Sequence, residues 1–290
     1  MTARFTTSLL AGAALAAACT IGAAQAQTDD AQTDDAQADD ALRICASTRE
    51  APYSEEGRTG FENKIAIALA KAMGRTPEFV FTDKFGIYLV RDFLNAGLCD
   101  VVMGVDVDDP RVLTTGAVYR TGYVYVSRED TGFDGDGWQD IAGTPYGRFA
   151  IRFYSPAETI LKYNGKWEDN AAYLYGLINF KSRRNQYNQV DAAKLVSEVT
   201  AGHADMAIAF APDVARYVKA SGTPLRMTMI TDAITRVDGL EIPLQYDQAI
   251  GVRKDDTALL AEISQALPGI RGEIDAILTD EGIPLLPPGS

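Results

Sequence analysis

The segment from Gly97 to Arg111, GLCDVVMGVDVDDPR, constrains the fold of this chain more than any other. Its apolar centre, Val101 to Gly104, predicts a buried strand, and the polar residues after it predict a loop that ends in one arginine. Open α/β sheets place ligand sites where strands end, and an arginine there can grip an anion. The segment therefore predicts one lobe of a ligand-binding α/β protein.

Strands and helices alternate before and across this segment. The predicted elements are a strand at 42–47, a helix at 61–73, a strand at 77–82, a helix at 86–95 and a strand at 99–105. A β-α-β-α-β order packs as a parallel sheet with right-handed crossovers. We therefore expect these strands to form one parallel sheet, and we take its spatial order as 2-1-3.

A second α/β region follows, and the chain then returns to the first. Its predicted elements are strands at 149–153 and 204–210 and helices beginning at 156, 191 and 212. The Ser155-Pro156-Ala157-Glu158 sequence predicts a helix start with a capping box. The strand at 122–128 leads out and the strand at 248–253 leads back, before closing helices at 259–267 and 273–278. The sequence thus predicts a two-lobed α/β protein whose parallel-sheet lobes are joined by two crossing strands, with lobe 1 at 42–126 plus 240–290 and lobe 2 at 127–239.

The N-terminal residues predict an exported protein. Arg4, an apolar run from Leu9 to Ala18 and an A-x-A site ending at Ala26 form a signal peptide with cleavage after Ala26. The alternative, a membrane anchor, is disfavoured because the run is shorter than the ~20 residues that span a bilayer. Residues 27–41 repeat QTDDA-like units and predict a disordered acidic leader. We expect a periplasmic location.

The charge of the chain limits its partners. The formal net charge is −13, which argues against nucleic acid and against anionic membranes. It favours a basic partner or simple solubility.

Two cysteines, Cys45 and Cys99, remain after the predicted cleavage. An even count in an exported chain indicates a disulfide. In a 2-1-3 sheet the two residues lie on or beside neighbouring strands about 4.8 Å apart, so a bridge is feasible. Two buried free thiols are the alternative.

Five segments, in this order, resemble the type II periplasmic solute-binding proteins of amino-acid importers. They are LRICASTREAPYS, GFENKIAIALAKAMG, GLCDVVMGVDVDDPR, AGHADMAIAF and QAIGVRKDDTALLAEISQAL. The paired cysteines and the segments GFENKIA, GIYLVRDFLN and DPRVLTTGAVYRTGYVYV are similar to one branch, the methanol oxidation protein J (MoxJ/MxaJ-type) family.

This resemblance implies a helper of periplasmic PQQ-dependent methanol dehydrogenase that assists its assembly or cofactor loading. It implies no catalysis and no cofactor of the chain's own, since PQQ belongs to the partner. It leaves open whether the dehydrogenase is of the calcium or the lanthanide type. The alternative function is an importer's solute-binding protein for a small carboxylate.

The resemblance also suggests residues for the cleft. In amino-acid binders an arginine about seven residues after the strand glycine clamps the substrate carboxylate, and Arg111 has that spacing from Gly104. The alternative is that Arg111 pairs with Asp106, Asp108 or Asp109.

The second lobe lacks the carboxylate with which amino-acid binders meet the ammonium group. Ala209 and Phe210 stand at the equivalent positions, and Asp213 could substitute only if the loop shifts by three residues. An unpaired buried ammonium costs several kcal/mol. We therefore expect that this lobe does not hold an amino acid in the usual way.

Other cleft candidates have two interpretations each. Glu62 lies either at the cleft mouth or as a charge near a helix N-terminus. Tyr53 and Phe153 either stack on a flat ligand or pack between the lobes. The complete set of candidates is Tyr53, Glu62, Asp106, Asp108, Arg111, Phe153 and Phe210.

The segment from Gly165 to Arg184 is longer than the usual connection in such lobes. It mixes aromatic residues with a basic end, as protein interfaces do. We expect either a partner contact or an extra helix that covers the lobe. The partner-contact candidates are Trp167, Tyr173, Tyr175, Arg183 and Arg184.

Signals for catalysis or metal binding are weak. The single histidine, His203, lies in a predicted turn, and no Ser/His/Asp set forms around it. The Asp134-Gly135-Asp136-Gly137 run departs from a calcium-binding loop at later positions and predicts a turn. We expect neither an enzyme nor a metal site.

Overall fold

Lobe 1 is built on three parallel strands, in the predicted order. In the computed structural model, which describes residues 40–178 and 189–287, β1 pairs in parallel with β2 on one side and β3 on the other. The strands are β1 (Ala41–Ser47), β2 (Thr76–Thr82), β3 (Val101–Asp106), β4 (Leu113–Thr114), β5 (Tyr119–Arg128), β6 (Phe149–Ile151), β7 (Met206–Phe210), β8 (Leu225–Met229), β9 (Ile234–Thr235), β10 (Glu241–Ile242) and β11 (Gln245–Val252).

Seven α-helices accompany these strands within the described residues. They are α1 (Phe61–Ala72), α2 (Pro156–Tyr163), α3 (Trp167–Leu177), α4 (Ala192–Thr200), α5 (Ala211–Lys219), α6 (Thr257–Ala266) and α7 (Arg271–Glu281). In lobe 1, α1, α6 and α7 bury Ile65, Ile263 and Ile274 in one core with β1 and β3. In lobe 2, α2 to α5 surround β6 and β7 in a second core.

Two long strands cross between the lobes, as predicted. Residues 119–122 of β5 pair with β11, and residues 123–127 of the same strand pair with β7 of lobe 2. β11 also pairs with β3 of lobe 1. The chain is therefore a mixed α/β protein of the two-lobed type, with antiparallel crossing strands between parallel segments. The lobe boundaries at 126/127 and 239/240 stay predictions.

Cys45 and Cys99 form the predicted disulfide, with their Cα atoms 5.4 Å apart. The bridge joins β1 to the turn before β3, which are neighbours in the sheet. Leu89, Val90 and Leu94 are buried in the same small cluster. The disulfide thus fastens the 86–95 segment to the sheet through a shared apolar contact.

The predicted α-helix at 86–95 is wrong in type. The segment forms a 3₁₀ turn at Gly86–Tyr88 and a π-helix at Val90–Leu94. The Asn95 amide donates to the Val90 carbonyl five residues earlier, and Ile87 is 59 % exposed rather than buried. The wider π turn brings Leu89, Val90 and Leu94 onto the disulfide, and Ile87 is left at the surface.

The helix predicted from Ser155 begins where expected, but the capping box does not form. The Ser155 hydroxyl donates to the Arg152 carbonyl, and Glu158 Oε2 accepts from the Tyr154 amide at 2.8 Å. Tyr154 has a φ of +58°. This left-handed conformation turns its own N–H toward the helix, so Glu158 binds that amide instead of the Ser155 amide.

The N-terminal predictions lie outside the described residues. These are the signal peptide at 1–26 and nearly all of the acidic leader at 27–41. Within residues 40–178 and 189–287, none of the helices is both long and apolar enough to span a bilayer.

Candidate functional site

A cavity of about 1110 Å³ lies where the strand ends of the two lobes face each other. Parallel strands place their carboxyl ends, and the residues that follow, at one edge of a sheet. Arg49 and Glu50 follow β1, Asp106 ends β3, and Arg152 follows β6. The crossing strands contribute Tyr123, Tyr246 and Gln248 to the same cavity. The cavity therefore occupies the position at which open α/β sheets bind ligands.

An ion pair between Arg152 and Asp213 holds the lobe 2 wall of the cavity. Arg152 Nη1 donates to Asp213 Oδ1 at 3.0 Å. Asp213 lies in the first turn of α5, where the helix dipole favours negative charge. Both side chains line the cavity, and Arg152 remains 23 % exposed. The guanidinium that could bind an incoming anion is thus already neutralised by a neighbour.

Lobe 1 presents a second pair of charged residues. Glu50 Oε1 accepts from the Gly86 amide at 2.7 Å. Burial raises the pKa of Glu50, although that hydrogen bond opposes the shift. The Arg49 guanidinium lies 4.0 Å from the centre of the Phe85 ring, which is a cation–π contact. Arg49 is the more exposed of the two arginines that line the cavity.

Aromatic side chains fill much of the remaining wall. Tyr123, Phe210 and Tyr246 contact one another with ring centres 5.6–6.4 Å apart. Phe153 stacks on Tyr175 at 5.3 Å. These rings pack against one another, and two of them, Tyr123 and Tyr246, lie on the crossing strands. The cavity wall at the crossing strands is therefore aromatic.

Three of the seven predicted cleft residues line the cavity: Asp106, Phe153 and Phe210. Asp106 Oδ1 accepts from Gln248 Nε2 at 2.6 Å, which ties β3 to β11. The other four, Tyr53, Glu62, Asp108 and Arg111, lie outside the lining. Tyr53 packs on Phe61 at 4.9 Å. Asp108 adopts a φ of +64° in the loop after β3.

Arg111 pairs with Asp109, one of the three acids considered for it. The guanidinium donates from Nε and Nη2 to both carboxylate oxygens, with a shortest distance of 2.6 Å. The Arg111 pairing lowers the pKa of the Asp109 carboxyl. The guanidinium therefore makes two parallel hydrogen bonds to one carboxylate, which is the bidentate geometry that a bound substrate carboxylate would otherwise occupy. The role of Arg111 as a clamp for a substrate carboxylate stays a prediction.

Glu62 is buried beneath Gly104 rather than at an open mouth. It is 9 % exposed, and its Oε1 has no hydrogen-bond partner among the described residues. Burial, followed by the charge of Glu50, raises its pKa to about 8. A Cβ at position 104 would lie 2.0 Å from Glu62 Oε1, and Gly104 has a φ of +65°. The positive φ therefore favours glycine at position 104, and the absence of a Cβ there leaves room for the Glu62 carboxyl group.

The lobe 2 positions that were expected to lack an ammonium acceptor hold Ala209, which is buried, and Phe210, which lines the cavity. Asp213 reaches the cavity from α5, but its Oδ1 accepts from Arg152. The geometry thus pairs Asp213 internally, while a second lobe 2 acid, Asp191, also lines the cavity and is exposed.

The segment proposed for a partner contact contains α3, which covers lobe 2. Leu174 is fully buried, and the Tyr173 hydroxyl donates to Glu198 Oε2 at 2.9 Å. Trp167 contacts the Phe153 ring, and Tyr175 is 40 % exposed. Arg183 and Arg184 lie outside the described residues. Whether this surface binds a partner stays a prediction.

Sequence reasoning missed Arg49 and Arg152 as cavity residues. Each follows the last residues of a parallel strand, so the rule that selected Arg111 after β3 could also have selected them. Within the described residues, no group of three or more His, Cys, Asp or Glu side chains is arranged to hold a metal ion.

Comparisons with known proteins identify clear relatives. No family model matches the sequence. Protein MoxJ of Paracoccus denitrificans is 54 % identical over 246 residues, which cover 85 % of this chain and 89 % of that protein. The crystal structure of MxaJ from Methlophaga aminisulfidivorans MPT aligns with a TM-score of 0.79 and 46 % identity, over 84 % of this chain and 100 % of that one.

A more distant structure shares the fold. The periplasmic binding protein XoxJ from Methylobacterium extorquens AM1 aligns with a TM-score of 0.62 and 22 % identity. The alignment covers 85 % of this chain and 99 % of that one. The fold of the chain is therefore that of the type II periplasmic binding proteins.

Proposed function

Because the chain belongs to the MoxJ family, we propose that it is a non-catalytic periplasmic accessory protein that assists the assembly of PQQ-dependent methanol dehydrogenase or the loading of its cofactor. The chain itself holds no cofactor in this proposal, since PQQ belongs to the dehydrogenase. The disulfide between Cys45 and Cys99 suits an oxidising compartment such as the periplasm.

The internal neutralisation of the interlobe cavity is the structural observation that carries the proposal. Arg152, which lines the cavity, is bonded to Asp213 at 3.0 Å. A solute-binding protein for amino acids needs a free cation and a free anion that close on the two ends of the ligand. At the lobe 2 wall a zwitterion would have to displace Asp213 from Arg152. This arrangement favours a function carried by the exterior of the molecule.

The second candidate function is that of an importer's binding protein for a small carboxylate. Arg49 favours it, because this arginine lines the cavity and is exposed to solvent. Titration calorimetry with a panel of small carboxylates separates the two candidates. Binding that Arg49→Gln abolishes and Arg111→Gln leaves unchanged would support the importer function.

Deletion of the gene in the producing bacterium tests the accessory role directly. We expect methanol-grown cells of the deletion strain to contain dehydrogenase polypeptide at normal abundance but less active, PQQ-loaded enzyme. The measurements are dye-linked activity per milligram of dehydrogenase and the PQQ content of the purified enzyme. Expression of the chain in trans should restore both.

A matched variant tests, in the same assay, whether the accessory role needs the charged residues of the cavity. The double variant Arg49→Gln/Arg152→Gln removes both cavity arginines and should restore the dehydrogenase as well as the wild-type chain does. Normal activity and PQQ content in the deletion strain would refute the accessory role. Rescue that fails only in this double variant would move the function back to the cavity.

A further inference from the structure

The hairpin formed by β9 and β10 projects a small apolar tip from lobe 2. Thr235 pairs with Glu241 and Ile234 pairs with Ile242 in an antiparallel arrangement. The root is fixed, because Ile234 and Leu244 are buried in the lobe 2 core. At the other end, Val237 is fully exposed and Leu240 is 58 % exposed. The hairpin thus has a buried base and an apolar end in water.

The turn at the tip is closed by its own hydrogen bonds. The Gly239 amide donates to the Arg236 carbonyl at 2.9 Å, and Gly239 has a φ of +81°. Asp238 accepts from the Leu240 amide through Oδ1 and from Arg236 Nη2 through Oδ2. These contacts fix the backbone without any contribution from the Val237 or Leu240 side chains. A preorganised loop loses little entropy when it binds.

Valine and leucine are unusual choices for such a position. Turns favour Gly, Pro, Asn, Asp and Ser, and a β-branched residue at the tip has no packing to gain. A single exposed apolar residue needs no explanation, but two on one ordered turn form a small apolar patch. The tip therefore has a shape and chemistry suited to insertion into an apolar pocket.

Acidic side chains surround the base of the hairpin. Residues 133–142 and 231–242 contain six exposed acids and one base, Arg236. The two segments are joined, since the Thr231 amide donates to the Asp136 carbonyl and the Trp138 amide donates to Asp232, both at 2.9 Å. The acids of this collar are Asp134, Asp136, Asp140, Asp232, Asp238 and Glu241.

The collar indicates the sign of the partner. Exposed charges act over a Debye length of about 10 Å at 0.1 M ionic strength, so the collar acts on whatever approaches the tip. It repels other acidic surfaces, including that of a second copy of this chain, whose net charge is −13. It attracts a surface rich in lysine and arginine.

From these observations we infer that the Val237–Leu240 tip and its acidic collar form the docking surface for a basic protein, and that the tip enters an apolar pocket with a basic rim. The inference rests on the proposed function, because the partner in question is the dehydrogenase. It assigns that contact to the hairpin, away from the interlobe cavity and from α3.

Binding of purified dehydrogenase to the purified chain tests the tip. The variant Val237→Ser/Leu240→Ser should bind at least about tenfold more weakly than wild type, as expected for loss of a central apolar contact. Its melting temperature should be unchanged because neither side chain packs in the fold. Leu98→Ser, at a 50 % exposed leucine of lobe 1, is the matched control and should bind within about twofold of wild type.

The collar is tested by the salt dependence of the same binding. Asp134→Asn/Asp136→Asn should lower the association rate and flatten its dependence on ionic strength between about 0.01 M and about 0.1 M. Glu273→Gln/Asp275→Asn, which neutralises two exposed acids on α7, is the control with the same change in charge. It should have a smaller effect on both quantities.

The outcomes separate the docking surface from the proposed function. If wild type binds the dehydrogenase and the tip variant binds equally well, the hairpin is not the docking surface, while the accessory role stands. If the salt dependence is the same in the two acid variants, the basic rim is wrong. If wild type does not bind at all, the accessory role and this inference both fail. Sedimentation in which wild type dimerises and the tip variant does not would assign the tip to a second copy.

Discussion

On helix α5, Asp213 and Arg216 form ion pairs of two kinds: the Asp213 pair stays within lobe 2, and the Arg216 pairs reach lobe 1. Asp213 faces the cavity and shares one hydrogen bond with Arg152. Arg216, three residues later, crosses to lobe 1 and binds Glu281 through Nε at 2.6 Å and through Nη2 at 2.9 Å. It also binds Glu55 at 2.8 Å. Both acids are buried, but Asp213 accepts from one arginine, whereas Glu281 accepts from both Arg216 and Lys64.

The difference shows which of the two ion pairs connects the lobes. Glu281 is 4 % exposed and also accepts from Lys64, so its oxygens are fully used. Ala215, next to Arg216, is buried in the lobe 1 core although it lies on a lobe 2 helix. The Arg216 contact therefore holds the lobes together. The Arg152–Asp213 pair lies within lobe 2 and does not join the lobes.

The largest expected effect comes from breaking the Arg216–Glu281 pair. Arg216→Ala leaves the Glu281 carboxylate buried with Lys64 as its remaining cation, and the loss of one partner of a buried pair costs about 3–5 kcal/mol. Urea unfolding should report a free energy of unfolding lower by that amount.

Lys219→Ala is the matched control on the same helix. Lys219 pairs with Asp280 at 3.4 Å, but both side chains are more than half exposed. Exposed pairs contribute about 0–1 kcal/mol, so this variant should unfold close to wild type. Equal losses in the two variants would mean that Arg216 is an ordinary surface contact.

Glu62 extends the comparison to a buried acid with no hydrogen bond to an arginine among the described residues. Burial raises the pKa of Glu281, but hydrogen bonds from Arg216 and Lys64 outweigh it and leave that pKa below its usual value. Glu62 lacks such bonds, and burial raises its pKa from 4.5 to about 8. Between these two values the folded chain binds more protons at Glu62 than the unfolded chain does. This group therefore lowers stability as the pH rises through that interval, and its effect is constant above about 8.

The variant Glu62→Gln removes this titration while it keeps the shape of the side chain. The difference in unfolding free energy between variant and wild type should shift in favour of the variant by a few kcal/mol from about pH 5 to about pH 8, because one pKa unit corresponds to 1.36 kcal/mol. Urea unfolding at several pH values measures it. A constant difference across that interval would show that Glu62 ionises normally in the folded chain.

The local patterns of the sequence predicted the sheet and the disulfide correctly. β1, β2 and β3 are short apolar runs bounded by polar loops, and the helices between them predict a parallel sheet. In the order 2-1-3, Cys45 and Cys99 then become neighbours. The prediction of an α-helix at 86–95 was wrong because the spacing of its apolar residues fits both an α-helix and a wider π turn. In the structure, Leu89, Val90 and Leu94 pack in one cluster with the disulfide, which is a tertiary contact that the local pattern does not contain.

The predicted site residues were only partly predictable because their surroundings depend on side-chain contacts within each lobe. The strand-end rule selected Arg111 but could not show that Asp109 would bind it, nor that Arg152 would meet Asp213 from 61 residues away. Glu62 illustrates the same limit. Its place near a helix N-terminus is visible in the sequence, but its burial depends on the path of Gly104 in a neighbouring strand.

The smallest expected effect concerns the cavity pair itself. Asp213→Asn should lower the free energy of unfolding by about 1.5–3 kcal/mol, because the amide can still accept from Arg152 but the pair loses its charge. It removes the charge that neutralises Arg152, so the variant cavity should bind small carboxylates more tightly than the wild-type cavity does. Thermal-shift titration with acetate and succinate measures this gain, and Asp109→Asn, which releases Arg111 outside the cavity, is the control. If Asp213→Asn gains no affinity, then the pairing with Asp213 is not what keeps Arg152 from binding anions.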